Sequence, residues 1–257
     1  MNRHLLTLAC VVLALPVLAQ DYDRKAAVEV SQAVIGQALG EHQLRDIHGQ
    51  SFDLSSLSGK PLVISMIYTS CHHVCPRITQ NLARTVDIAQ EALGDGAFNV
   101  ISVGFDWRVD TPDRMRQYAI QQGADAPNWH FLAADEASVT RLSETIGFQF
   151  YPSAKGFDHM AQTTVIDSDG VIYRQVYGVD IDTQSLVEPL KELVFNTPRS
   201  AGLIDHWLST FKLFCTVYDP NTERYRFDYS IFMTIIVGVL CLGALLAFIV
   251  VEWRRAS

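Results

Sequence analysis

Cysteine is scarce in this sequence, at five of 257 residues, and the chain ends hold two of them. Cys10 lies in an apolar N-terminal run and Cys241 in an apolar C-terminal one, so the body between keeps only Cys71, Cys75 and Cys215. Three thiols are too few for a disulfide-stapled scaffold, although they suit a site. A basic excess is also missing. The sequence has 20 Lys and Arg against 28 Asp and Glu, a formal charge of −8 with no offsetting basic patch, which excludes a nucleic-acid partner. No internal repeat or low-complexity tract interrupts the body, so one domain is the economical reading.

Long apolar runs occur only at the two ends. Arg3 and His4 precede the run 5–18, and Val17-Leu18-Ala19 offers residues of the size a signal peptidase reads, so residues 1–19 are expected to be a signal peptide. Residues 231–251 carry no charge and are followed by Glu252, Trp253, Arg254 and Arg255. That pattern predicts one transmembrane helix with a cytoplasmic tail, residues 252–257, on the positive-inside rule. Both ends give the same topology: a single-pass protein of the inner (cytoplasmic) membrane, its folded domain on the periplasmic or extracytoplasmic side.

Between the ends, residues 62–68 (LVISMIY) form a short apolar run rich in Ile and Val, bounded by Gly59-Lys60-Pro61 and Thr69-Ser70. It reads as a buried strand. Ile78, Leu82, Val86 and Ala89 recur at helical spacing and predict a helix over 74–92, which Gly94 stops. A second buried strand over 99–105 is followed by a helix that Thr111 caps and Pro112 begins. Residues 129–133 suggest a third strand, and Asp135 caps a helix to 146. Ser168-Asp169-Gly170 joins strands 161–167 and 171–177 as a hairpin, and a helix over 183–195 closes the domain. A parallel β-α-β-α half followed by an antiparallel hairpin and a helix is the order of an α/β, thioredoxin-like domain, assigned here to residues 20–195, with an N-terminal elaboration around 44–57. Residues 196–230 read as a juxtamembrane linker, in which Ile204, Trp207, Leu208, Phe211 and Phe214 could form an interfacial helix.

The chemistry concentrates in Cys71-His72-His73-Val74-Cys75-Pro76, directly after the first strand. An i, i+4 pair at a helix start puts both sulfurs on one face with Cα atoms about 6 Å apart, close enough for a shared metal or a disulfide. Unpaired N–H groups and the positive end of the helix dipole favour a thiolate there, which serves either chemistry. A third ligand would separate the two. His159, in Phe157-Asp158-His159-Met160 just before a strand, is the candidate, in a loop expected to face the head of the first helix. Two thiolates and an imidazole make a three-coordinate soft site suited to Cu(I), whereas Zn(II) normally takes a fourth ligand.

Cys71-x3-Cys75-Pro76 after a strand ending Tyr68-Thr69, Ile101-Ser102-Val103 followed by Asp110-Thr111-Pro112, and Asp158-His159 before a strand and Asp169-Gly170 together resemble the Sco/SenC family. The resemblance runs from about Ile35 to Leu193 and rests on three motifs in order. It implies a membrane-tethered, thioredoxin-like copper protein that assists assembly of the binuclear copper site of cytochrome c oxidase. By the same resemblance Cys71, Cys75 and His159 are the copper ligands, holding Cu(I) or in another state Cu(II). The partners it implies are the oxidase subunit that receives the metal, a copper donor and a thiol reductant. Asp158 could orient His159. The chain departs from the family at His72 and His73, which could add a ligand or simply face solvent, and in carrying its tether after the domain. Cys215 has no evident partner in the sequence.

Two other functions fit part of the pattern. A thiol-disulfide oxidoreductase using Cys71 and Cys75 as its redox pair would keep the oxidase cysteines reduced, but CxxxC is not the usual CxxC and His159 would have no task. A peroxidase would need only a reactive thiol, and would consume peroxide.

Overall fold

The computed structural model describes residues 22–72, 74–124, 126–154 and 156–196, the strand residues 216–219 and 224–227, and scattered positions between 233 and 255. The expected signal peptide, the helix over 204–214, His73, Cys215 and most of the expected span 231–251 lie outside those residues. Among the described residues no helix is long and apolar enough to cross a membrane.

In chain order the elements are helix α1 (Arg24–Ala33), strands β1 (Gln43–Arg45) and β2 (Ser51–Asp53), a 3₁₀ turn (Leu54–Leu57), β3 (Leu62–Ile67) and α2 (Val74–Leu93). β4 (Asn99–Gly104), α3 (Pro112–Gln122), β5 (Trp129–Leu132) and α4 (Glu136–Thr145) follow. Then come β6 (Phe150–Ser153), β7 (Gly156–His159), β8 (Gln162–Ile166), β9 (Ile172–Tyr177), α5 (Thr183–Asn196), β10 (Thr216–Asp219) and β11 (Arg224–Phe227). The main sheet has the order β5-β4-β3-β8-β9. β3, β4 and β5 run parallel, while β8 is antiparallel to β3 and β9 antiparallel to β8. This is the mixed thioredoxin-like architecture expected from the element order.

β3 is the central strand and buries all six of its residues, as a continuous apolar run covered on both faces must. Helix α2 buries Ile78, Leu82, Val86 and Ala89, the stripe its periodicity announces. Helix α3 begins with the Thr111 side chain accepting the Arg114 N–H and with Pro112 in its first turn. It ends at Gly123, whose φ of 64° a residue with a Cβ rarely adopts. In the β8–β9 turn the Asp167 carboxylate accepts the N–H groups of Asp169 and Val171, which fixes the hairpin. The elaboration expected around 44–57 is the β1–β2 pair and the 3₁₀ turn.

Two elements depart from the sequence reading. Helix α1 buries only Ala27 and Ser31, so its pattern is faint, and it docks through Ser31 Oγ and Gln32 Nε2 to the Tyr177 hydroxyl, at 2.6 and 2.7 Å. Phe150–Ser153 and Gly156–His159 form the antiparallel pair β6–β7, so His159, expected in a loop over 157–160, stands at the end of a strand. The reason is tertiary. Phe150 and Phe157 pack on Phe105, with ring centroids 4.8 and 5.4 Å away, and Phe157 meets Tyr68 edge-on. Gly156, at φ 114°, allows the close approach, because a Cβ there would lie 3.1 Å from the Tyr68 hydroxyl.

Candidate metal and thiol site

The site lies beyond the carboxyl end of β3, where open α/β sheets place their ligands. A tight turn follows the strand, with the Cys71 N–H donating to the Tyr68 carbonyl at 3.2 Å, and α2 then begins at Val74. The Cys75 N–H, in the first turn of α2, donates to Cys71 Sγ at 3.3 Å. Cys71 and Cys75 are two thiols, not a disulfide. They are unequal: Cys71 is half-buried, whereas Cys75 is fully buried. The Cys75 thiol is pushed far above the ordinary thiol range, first by its hydrogen bond to Cys71 and then by burial. Cys75 is therefore the thiol that keeps its proton, and the contact that joins the pair is its own backbone N–H on Cys71 Sγ. Cys71 lies in the turn before α2 and only Cys75 within the helix.

His159 packs edge-on against the Tyr68 ring. Its imidazole is half-buried among aromatic rings, 5.2 Å from Phe105, 5.6 Å from Phe148 and 5.8 Å from Tyr68 between centroids. Burial holds it below the ordinary imidazole range, only partly opposed by its bond to the Met160 carbonyl and by the nearby Cys71 and Asp158. The ring is thus neutral at pH 7. Nδ1 lies 3.1 Å from the Met160 carbonyl oxygen, which can only accept, so Nδ1 carries the proton and Nε2 keeps its lone pair for a ligand. The carbonyl, not Asp158, is what orients the ring; Asp158 is exposed. A cleft of about 410 Å³ opens here, lined by Tyr22, Tyr68, Val74, Phe157, Asp158 and His159 among others.

The structure brings Cys71 and Cys75 into contact and His159 into their neighbourhood. It does not gather the trio: among the described residues, no three of His, Cys, Asp and Glu stand close enough to hold a metal ion. His72 is exposed at the start of the helix.

Asp110 is part of the site's support, with a role its sequence motif did not disclose. Its carboxylate is almost completely buried and accepts the Thr69 N–H at 2.8 Å, the Thr69 hydroxyl at 2.7 Å and the Asp106 N–H at 2.9 Å. It thereby ties the loop after β4 to the turn that presents Cys71. Burial pushes its pKa up to about 6, against the three bonds. A folded value above the ordinary 3.8 means that its contribution to stability is complete below pH 3.8 and is lost as pH rises through about 6. Comparing Asp110→Asn with the parent in urea should show the stability gap moving toward the variant between pH 4 and 7, on the order of 2 kcal/mol. A gap that does not change with pH would show that this carboxyl titrates normally.

A thioredoxin-like domain with a CxxxC pair at the head of its first long helix and an oriented imidazole nearby defines a class of thiol and metal proteins. The SCO1/SenC family model matches residues 32–194, more than half of the sequence, and the chain belongs to that family. A SCO1 protein homolog of Bacillus subtilis (strain 168) is 23% identical over 137 residues, covering 51% of this chain and 69% of its own. A crystal structure from Aquifex aeolicus VF5 is similar with a TM-score of 0.57 and 29% identity, over 66% of this chain and 96% of that one. Yeast Sco1, crystallised with copper bound, shares the fold with a TM-score of 0.53 at 20% identity, over 66% of this chain and 97% of its own.

Proposed function

We propose that the chain is a membrane-tethered copper-binding protein that delivers copper to the binuclear copper site of cytochrome c oxidase and assists its assembly. Residues 20–195 are the copper-binding unit, exported by residues 1–19 and held at the outer face of the inner membrane by residues 231–251. Cys71, Cys75 and His159 are the ligands. The observation that carries this reading is the His159 imidazole, neutral, with Nδ1 bonded to a carbonyl and Nε2 left to coordinate, in the neighbourhood of a paired thiol.

Two sulfurs and one nitrogen form the soft, low-coordinate set that suits Cu(I). Since the trio is not gathered, capture includes a closing movement that brings the imidazole and the sulfurs together. Delivery then proceeds by ligand exchange with thiols of the oxidase subunit. Oxidation of Cys71 and Cys75 to a disulfide removes both sulfur ligands, so loading depends on a thiol reductant as well as a copper donor.

Copper stoichiometry and X-ray absorption on the reduced chain test the ligand set. The parent should bind about one Cu(I) through two sulfurs and a nitrogen, and His159→Ala should bind at least about 10- to 100-fold more weakly while still forming its disulfide. Undiminished affinity in His159→Ala would overturn the three-ligand site. The inequality of the thiols, one half-buried and one fully buried, also fits a reductase of the oxidase cysteines. Reductase activity that survives in His159→Ala would favour that second reading.

A further inference from the structure

Tyr22 stands two residues before α1, and α1 is fixed to the body of the domain. Asp23 caps the helix by accepting the N–H groups of Lys25 and Ala26, while Ser31 and Gln32 bond to the Tyr177 hydroxyl. Gly147 lets the helix close in, since a Cβ there would lie 2.6 Å from Ser31 Cα. The Tyr22 ring packs on the Tyr151 ring, with centroids 6.2 Å apart. Tyr151 is the cross-strand partner of Asp158 in the β6–β7 pair, and Phe150 is that of His159. Side chains alternate between the two faces of a strand, so Phe150, Phe157 and His159 share the face that packs on Phe105, and Tyr151 and Asp158 share the other. Tyr22 thus meets from outside the hairpin that carries the imidazole on its inner face. Its hydroxyl is buried and has no hydrogen-bond partner among the described residues. Asp158 lines the same cleft as Tyr22 and His159, and its exposed carboxylate makes no hydrogen bond or ion pair among the described residues.

We propose that Tyr22 is a positioning residue for the metal site, whose hydroxyl donates to the Asp158 carboxylate in the closed, copper-holding arrangement and so keeps His159 beside the thiol pair. The proposal rests on the assignment of His159 as a ligand. A buried hydroxyl without an acceptor destabilises whichever arrangement leaves it so. With the imidazole and the sulfurs apart, that penalty falls on the open arrangement. The closing movement shifts the hairpin, and Asp158 is the acceptor that the hairpin brings: it precedes His159 in β7 and pairs with the Tyr151 on which the Tyr22 ring already packs. A bond made only when the site closes adds to copper affinity, because a ligand draws on every interaction that differs between the two states.

Tyr22→Phe keeps the ring and its packing on Tyr151 and removes only the hydroxyl. In competition between the reduced full chain and a chromophoric Cu(I) chelator, this variant should bind Cu(I) about tenfold more weakly than the parent, the lower end of what a hydrogen bond to a charged group contributes. The urea midpoint of the copper-free variant should stay at the parent's value or rise, since an unpartnered hydroxyl has been removed. Asp158→Ala should show a similar loss of affinity, and the double variant should lose no more than either single one. A hydroxyl that merely supports the fold would lower the copper-free midpoint. That result would overturn the proposal, as would parental affinity in Tyr22→Phe or losses that add in the double variant. His159→Ala separates this proposal from the reading it rests on. Undiminished affinity in His159→Ala removes the ligand set, whereas weakened affinity there beside parental affinity in Tyr22→Phe removes only the role of Tyr22.

Discussion

The Cys75→Ser variant is expected to bind Cu(I) more than about 100-fold more weakly than the parent while keeping its fold. Losing a group that merely orients a ligand costs about 10- to 100-fold in metal affinity, and Cys75 in this reading is a ligand itself. Serine offers a hard oxygen where Cu(I) prefers soft sulfur. It is close to cysteine in size, so the fully buried position is not opened into a large cavity. The backbone N–H that binds Cys71 Sγ is unaffected by the substitution. Competition against a chromophoric Cu(I) chelator would measure the loss, with circular dichroism and a urea midpoint to establish that the fold survives. Affinity within a few-fold of the parent, in a folded variant, would remove Cys75 from the ligand set.

Gly104→Ala should destabilise the domain by about 3 kcal/mol, the upper end of the usual cost of overpacking a core. Gly104 ends β4, and a Cβ there would lie 2.5 Å from Asp110 Cβ, 2.9 Å from Met115 Sδ and 3.0 Å from Asp110 Cγ. The methionine end can swing aside. Asp110 Cβ cannot move without its backbone, and its carboxylate would leave Thr69. The expected result is therefore double: a lower urea midpoint, and faster alkylation of Cys71 in the folded variant as the turn before it loosens. An unchanged midpoint would mean that the loop over 105–110 yields easily and that Asp110 is not the fixed point described above.

How much of this was legible beforehand depended on whether a signal was local. β3, α2, β4 and α3 could be read because their information sits within the segment: an unbroken apolar run, a helical stripe, Thr111 with Pro112 and a closing glycine. α1 and the β6–β7 pair could not, because what makes them is contact with distant residues, Tyr177 for the one and Tyr68 and Phe105 for the other. The same division holds in the site. Spacing alone paired Cys71 with Cys75. His159 was singled out by composition and position, but its orienting partner, the Met160 carbonyl, has no side-chain signature. Asp110 stood in a recognisable motif whose purpose emerges only when Thr69 is seen beside it.

The difference in burial between the two thiols also sets an order of events. Cys71 borders solvent, and Cys75 lies behind it with no exposed surface. Under the proposed function, an incoming copper ion would meet sulfur 71 as its doorway and complete its coordination inward. A client thiol, arriving from the same side, can reach the metal only past that outer sulfur. If the proposed ligand set holds, the inner bond breaks before the ion departs, and Cys71 is the last of the two sulfurs to let it go.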